Sequence, residues 1–200
     1  MPAATNRSAP GLRERKKAQT RAAIQAAALR LFREHGYEAT TVDQIIAAAD
    51  VSESTFFRYF PTKEDVVFED DFDPLLVAAY KAQPADFPPV RAMRAAFQEA
   101  FSGLSAQEKA EQRDRTALIL SVPALRSAML DRFSQAMRVL SEAVAERAGR
   151  RPDDFAVRTV AGAVVGAMMA VIAAMTDDPG ADLAGLVDEA IAHLESGLSL

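Results

Sequence analysis

The side chains with the clearest chemical purpose in this 200-residue chain lie between Thr41 and Lys63: Thr41, Ser52, Ser54, Thr55, Arg58, Tyr59 and Lys63. Hydroxyls, a guanidinium and an ammonium in one short stretch are hydrogen-bond donors suited to phosphate oxygens and base edges, not to making or breaking bonds. Catalytic alternatives find a thin inventory. There are two histidines, His35 and His193, and no cysteine, and no nucleophile elbow, P-loop, dinucleotide-binding glycine pattern or zinc-ligand spacing occurs. No catalytic residue, metal ligand or cofactor is therefore assigned, and the chain is not read as an enzyme. Lack of cysteine fits a reducing cytoplasm, and no apolar segment of signal-peptide length marks the N-terminus for export.

Two short helices must position these donors. Thr41 followed three residues later by Gln44 is a capping box, and Val42, Ile45, Ile46 and Ala49 share one face of the helix it opens. Asp50 and Val51 break the pattern, and Ser52 is an N-cap for a second helix running from Glu53 to Tyr59 or Phe60. Phe56, Tyr59 and Phe60 fall on its inward face, leaving Glu53, Ser54, Thr55 and Arg58 outward. Two helices joined by so short a turn have the geometry of a helix-turn-helix, in which the second helix enters the major groove. The plainer alternative is a pair of core helices.

The flanks add charge. Residues 1–11 lack periodicity and read as a mobile arm carrying Arg7; a helix from Arg13 to His35 follows, capped at Gly36, with Tyr37 folded back on its last turn. Its start, RERKKAQTR, sets five positive charges against one negative at a helix end that disfavours cations, which points to a polyanion nearby. Beyond Pro61, Thr62 should cap a helix from Lys63 to Asp73. A lysine in that first turn opposes the helix dipole, and a phosphate at the helix start would account for it. Residues 1–64 carry net +3 and residues 65–200 net −8, confining phosphate binding to one end.

The acidic run Glu69, Asp70, Asp71 and Asp73 invites a metal, but with no histidine nearby a solvated face or hinge fits better. Pro74 should interrupt the helix there, and Gln83–Pro89 is a loop. Five further helices are expected over about Val90–Leu104, Ala106–Ser121, Ala124–Ala148, Asp153–Thr176 and Asp182–Leu198; no strand pattern appears, so the fold is all-α. Thr159–Thr176 holds no charge, yet its sixteen central residues include six alanines and two glycines and span only ~24 Å against a hydrocarbon core of ~30 Å. With Gly162 and Gly166 in GxxxG spacing, it reads as a helix buried on all sides in a soluble dimer, without a membrane. The six internal methionines all lie beyond residue 90. Met93, Met129, Met137, Met168, Met169 and Met175, with Phe97, Phe101, Leu118, Ile119 and Phe133, suit either an adaptable binding cavity or a close-packed core.

The pattern from Thr41 to Glu64, together with the helix before it, resembles the DNA-binding signature of the tetracycline-repressor (TetR) family of bacterial transcriptional regulators. Caps, apolar spacing, the aromatic cluster and the Pro-Thr-Lys-Glu exit agree in register. Phe57, Ser54 and Glu53 depart from the family's usual tyrosine, glycine, and basic or polar residue, so no base preference carries over. The resemblance implies an arm (1–11), a helix-turn-helix domain (12–64) and a helical ligand-binding and dimerisation domain (65–200). It implies a homodimer whose last two long helices pair through Gly162, Gly166, Leu186, Val187, Ile191 and Leu194. It also implies a pocket drawn from Phe97, Phe101, Leu118, Ile119, Met129, Phe133, Met137 and Met168, with the Lys63–Asp73 helix as the link to the DNA-binding end. The stretch from Arg115 through Ser121-Val122-Pro123 to Pro152-Asp153-Asp154 resembles a branch associated with acyl-CoA-like ligands. The expected partners are a double-stranded DNA operator and a small hydrophobic effector. A helical interaction or architectural domain without regulated operator binding is the competing function, and salt-sensitive retention on nonspecific DNA separates the two.

Overall fold

The computed structural model describes residues 11–69, 72–178 and 180–198. The arm with Arg7, and Asp70 and Asp71 of the acidic run, lie outside the described residues. Among those described there are helices and connecting turns but no strand, and they divide into two compact units between Glu69 and Phe72.

The first unit holds α1 (Leu12–His35), α2 (Val42–Ala49), α3 (Glu53–Tyr59) and α4 (Asp65–Phe68). Ile24, Ala28, Ile45, Phe56, Phe60, Val66 and Val67 are fully buried in its core. Gly36 ends α1 at φ 84°, a conformation that favours glycine, and its N–H donates to the Phe32 carbonyl. Tyr37 then packs on Phe32 with ring centroids 5.0 Å apart. α4 is strapped to α1, since the Gln25 side-chain amide donates to the carbonyls of Val66 and Glu69, and Arg21 pairs with Glu69 at 3.5 Å. The unit therefore extends to Glu69, five residues beyond the boundary expected from sequence.

No continuous helix runs from Lys63 to Asp73. α4 stops at Phe68, and α5 (Phe72–Ala82) begins afresh with Pro74 as its third residue. The first turn of a helix has no internal partner for its N–H groups, so a proline costs nothing there; the break precedes Pro74. The single rigid link expected between the two ends is thus two helices.

The second unit continues with α6 (Pro89–Gly103), α7 (Ala106–Ser121), α8 (Pro123–Ala148), α9 (Phe155–Asp177) and α10 (Leu183–Glu195). Ser105 and Glu108 form a capping box at α7, and Asp154 and Asp182 cap α9 and α10. α9 packs against both α8 and α10, burying Val157, Ala161, Val164, Val165, Val171 and Met175. It is long and apolar enough to cross a membrane by composition, but that buried face belongs to the core shared with Met93, Ala96, Val187 and Ile191. Within the single chain α9 is buried on this face only; Ala163, Gly166, Ala170 and Ala173 stay exposed on the opposite face, which burial on all sides would require a second copy to cover.

Two arginines tie distant elements together. Arg147 on α8 donates to the carbonyls of Tyr80, Gln83 and Pro84 at 2.7–3.0 Å, closing the C-terminal end of α5. Arg94 on α6 makes paired 2.8 Å bonds to Asp188 on α10 and a third to Glu195, while the Gln98 amide donates to Asp188 at 2.7 Å. Hydrogen bonds from Arg94 hold the Asp188 carboxyl below its ordinary pKa. A lowered carboxylate pKa stabilises the fold above the unfolded-state value, and that contribution disappears as pH falls through the folded-state value. Asp188→Asn should therefore lower stability at neutral pH and flatten the loss of stability on acidification, as read by thermal unfolding across pH 3 to 7.

Candidate nucleic-acid interface

The geometry of the first unit is set by local chemistry at each helix end. The Thr41 hydroxyl accepts from the Gln44 N–H at 3.2 Å while the Gln44 side chain accepts from the Thr41 N–H at 2.8 Å. α2 ends at Asp50, in the left-handed region at φ 52° and ψ 49°, with its N–H directed to the Ala47 and Ile46 carbonyls. Aspartate is among the few non-glycine residues that occupy this region readily, which makes a sharp turn possible here. Ser52 then caps α3 through the Thr55 N–H. Two helices separated by three residues, anchored by buried Ile45 and Phe56, are the helix-turn-helix that the caps predict.

Phe56 on α3 and Phe60 at its C-terminal end face the core, whereas Glu53, Ser54, Phe57 and Arg58 are exposed and Thr55 and Tyr59 half-buried. Ser52 donates to the Thr55 hydroxyl at 2.9 Å and lies 3.1 Å from that of Ser54. Arg58 stands over the Tyr59 ring at 5.2 Å. These donors are thus brought together on one surface. Phe57 joins them: the residue is 44% exposed and its ring packs edge-on to Phe56. In the sequence Phe57 stands out only for the phenol it lacks, though the spacing 53, 54, 57, 58 already places it on the outward face.

Lys63 is not in the first turn of a helix. It lies in the turn before α4, where Thr62 and Asp65 exchange reciprocal bonds between backbone N–H and side chain. Its ammonium donates to the carbonyls of Tyr37 at 3.0 Å and Thr40 at 3.1 Å and sits 4.1 Å from the centre of the Tyr37 ring. Local stability therefore does account for this lysine, although one of its three N–H donors is left over. The Tyr37 hydroxyl donates to Glu64 at 2.8 Å, and burial with that carboxylate pushes its pKa up. On α1, Arg13, Lys16 and Lys17 are exposed, but Arg21 is held by Glu69 and lies 5.8 Å from the Phe60 ring centre.

In the second unit Phe97, Phe101 and Met168, of the eight expected pocket residues, share one core cluster. Phe97 is buried in the core, Phe101, Leu118, Ile119, Met129, Phe133 and Met168 are half-buried, and Met137 is exposed. Phe72, Phe97 and Phe101 pack together with ring centroids 5.0–6.4 Å apart. Of these eight residues only Phe101 lines either of two openings in this unit. The larger is an open apolar groove of about 590 Å³ between α9 and α10, lined by Gly166, Leu186 and Leu194 together with Ala163, Ala170, Ala190 and His193. The expected dimer residues divide accordingly. Val187 and Ile191 belong to the chain's own core, and a Cβ on Gly162 would meet Met137, leaving Gly166, Leu186 and Leu194 at the groove. Alanine and glycine occupy several faces of α9, so periodicity alone did not separate core from surface. Among the described residues no cluster of histidine, aspartate and glutamate could hold a metal.

A capped helix-turn-helix presenting donors, joined to an all-α second unit, defines a DNA-binding regulator. Residues 24–69 match the description "Bacterial regulatory proteins, tetR family", and residues 87–199 match "MftR C-terminal domain". The chain is 35% identical over 152 residues to the HTH-type transcriptional regulator TcmR of Streptomyces glaucescens, covering 72% of this chain and 67% of that one. It is 27% identical over 192 residues to MftR of Mycobacterium tuberculosis, a protein named for regulating mycofactocin biosynthesis, with 92% and 93% covered. Among solved structures it shares its fold with Thermus thermophilus FadR in complex with lauroyl-CoA (TM-score 0.55, 24% identity, 90% and 95% covered). The fold is also that of SmeT in complex with triclosan (TM-score 0.56, 22% identity, 87% and 90% covered). The chain belongs to the TetR family of ligand-responsive, DNA-binding transcriptional regulators, which are not enzymes. Members of the family bind DNA and small-molecule effectors, typically as dimers, and are typically soluble and cytoplasmic.

Proposed function

We propose that this protein is a cytoplasmic homodimeric repressor that occupies a two-fold symmetric operator and leaves it when a small, mainly apolar effector binds the α5–α10 unit. The observation that carries the reading is the exposed face of α3, where Ser54, Phe57 and Arg58 stand clear of a core anchored by Phe56 and Phe60. Ser54, Thr55 and Arg58 contact base edges or adjacent phosphates, and Phe57 offers an apolar contact to a thymine methyl. Thr41, Ser52, Tyr59 and the remaining donor of Lys63 fix the unit on the backbone. Two copies joined along the α9–α10 groove present two such helices to half-sites about one helical turn, ~34 Å, apart. The apolar core of the second unit and the lauroyl-CoA and triclosan bound by proteins of the same fold support an elongated apolar effector. A hundredfold preference of the effector for the operator-free conformation corresponds to a coupling of ~2.7 kcal/mol.

Selection of DNA from a random pool by the purified protein tests the reading: a palindrome should be enriched, and its affinity should fall on adding long-chain acyl compounds. Failure to enrich a palindrome overturns it. Arg58→Ala should lose ~1–3 kcal/mol concentrated at one operator position if the guanidinium reads a base; uniform loss over operator variants reassigns it to phosphate. Lys63→Ala should weaken binding to all sequences alike, reducing the slope of log affinity against log salt by about one. Because two carbonyls lose a charged donor, it should also lower the stability of the first unit by ~1.5–3 kcal/mol, measured by denaturant unfolding.

A further inference from the structure

We infer that a niche where α6, α7 and α10 meet recognises the anionic head of an amphiphilic effector, a carboxylate or phosphate carried on an apolar chain. The inference rests on the reading that the effector is apolar, and adds where and how its polar end is held. The niche measures about 70 Å³, with walls of two kinds. Phe101, Leu104 and Leu183 are apolar, and Lys109, Gln112 and Arg113 supply donors. The last three are spaced i, i+3, i+4 on α7, so they project from one face.

Cations of this unit are of two kinds, some paired with carboxylates and others, such as Arg91 over the Phe87 ring and Arg126 on the Leu120 carbonyl, held by other groups. Elsewhere in this unit Lys81 pairs with Glu146, Arg94 with Asp188 and Glu195, Arg150 with Asp154 and Arg151 with Asp153. Among the described residues Lys109 and Arg113 have no carboxylate within ion-pair distance. Asp182 also lines the niche, but its carboxylate caps α10 through the Ala184 N–H at 3.2 Å. The site is left with two unpaired positive side chains, an amide and one already engaged carboxylate. A single anion bridging Lys109 and Arg113 completes it with charge-assisted hydrogen bonds, about twice as strong as neutral ones.

Size and neighbours define what carries that anion. The volume admits a head group of a few atoms and excludes a long chain. Phe101, however, borders the niche and also belongs to the aromatic cluster, 5.0 Å from Phe72 and 6.2 Å from Phe97 between ring centres. An apolar tail leaving the niche along this ring would replace aromatic contacts within the unit's core while its head stayed at the surface with the two cations.

The test titrates the full-length protein with dodecanoate, dodecyl phosphate and dodecan-1-ol, which share a chain and differ in the head, and follows operator release in parallel. At least one anion should bind tenfold or more tightly than the alcohol. A preference shared by both anions defines a general anion site, and one confined to carboxylate or to phosphate identifies the source. Lys109→Gln/Arg113→Gln should abolish the preference while leaving alcohol affinity and helicity unchanged. Equal binding of all three ligands by the wild type, a preference that survives in the double variant, or no binding at all overturns the niche. If all three bind equally and release the operator, the apolar-effector reading stands and the niche falls. If anion preference depends on the two cations but no ligand releases DNA, the niche stands and the release reading falls.

Discussion

Gly166→Leu is expected to leave each chain folded, convert the dimer to monomer and reduce operator affinity by about a hundredfold or more. The expectation follows from what surrounds this residue within one chain. A Cβ built on Gly166 meets no atom within 4 Å, and the residue opens onto the α9–α10 groove, so the chain itself has room for a side chain to start there. Replacing a glycine inside α9 should even favour the helix, by up to ~1 kcal/mol. The main penalty is expected from a second copy seated on the α9–α10 groove, where close approach of small residues would leave no room for leucine and overpacking costs ~1–3 kcal/mol per site. Two copies contribute two such sites across a two-fold interface. A monomer retains one half-site's contacts and loses the effective concentration that the dimer gives the second, a factor of ~10²–10⁴. Sedimentation velocity and operator titration on the same sample check both parts. An unchanged dimer would place the interface on another surface.

Features decided within a few residues were legible in the sequence. The Thr41–Gln44 box, the Ser52 cap and the Gly36 stop depend on neighbours three or four positions away, and each is present in the structure. Features decided at a distance were not. Lys63 looked misplaced because its compensating carbonyls, on Tyr37 and Thr40, are 26 and 23 residues earlier in the chain. Pro74 looked like a helix breaker because a proline in a first turn and one in an interior read alike until the start of the helix is known. The latch of Arg94 on Asp188 joins residues 94 positions apart and left no local signal. Phe97 and Phe101, expected at a pocket, pack on Phe72, and composition cannot distinguish a ring that packs on a neighbour from one that lines a ligand site.

Phe56→Ala should unfold the DNA-binding unit while leaving the rest of the chain helical. Phe56 is fully buried and packs edge-on to Phe57, with centroids 5.3 Å apart, and against Phe60 at 6.1 Å. Truncating such a side chain removes its transfer energy and leaves a cavity, together ~3–5 kcal/mol. A unit of roughly sixty residues has a total stability of only about 3–9 kcal/mol at ~0.05–0.15 kcal/mol per residue, so the loss consumes most or all of it. The helices of the second unit have their own core around Met93, Ala96, Val164 and Ile191, which the substitution does not touch. Circular dichroism should therefore show loss of the ellipticity of α1–α4 with the remainder intact, and operator binding should disappear. Phe57→Ala supplies the contrast. Its ring is exposed, so stability should change by less than ~1 kcal/mol while operator affinity falls at a thymine-containing position. If Phe57→Ala destabilised the unit as much as Phe56→Ala, the division of α3 into an anchoring face and a reading face would be wrong.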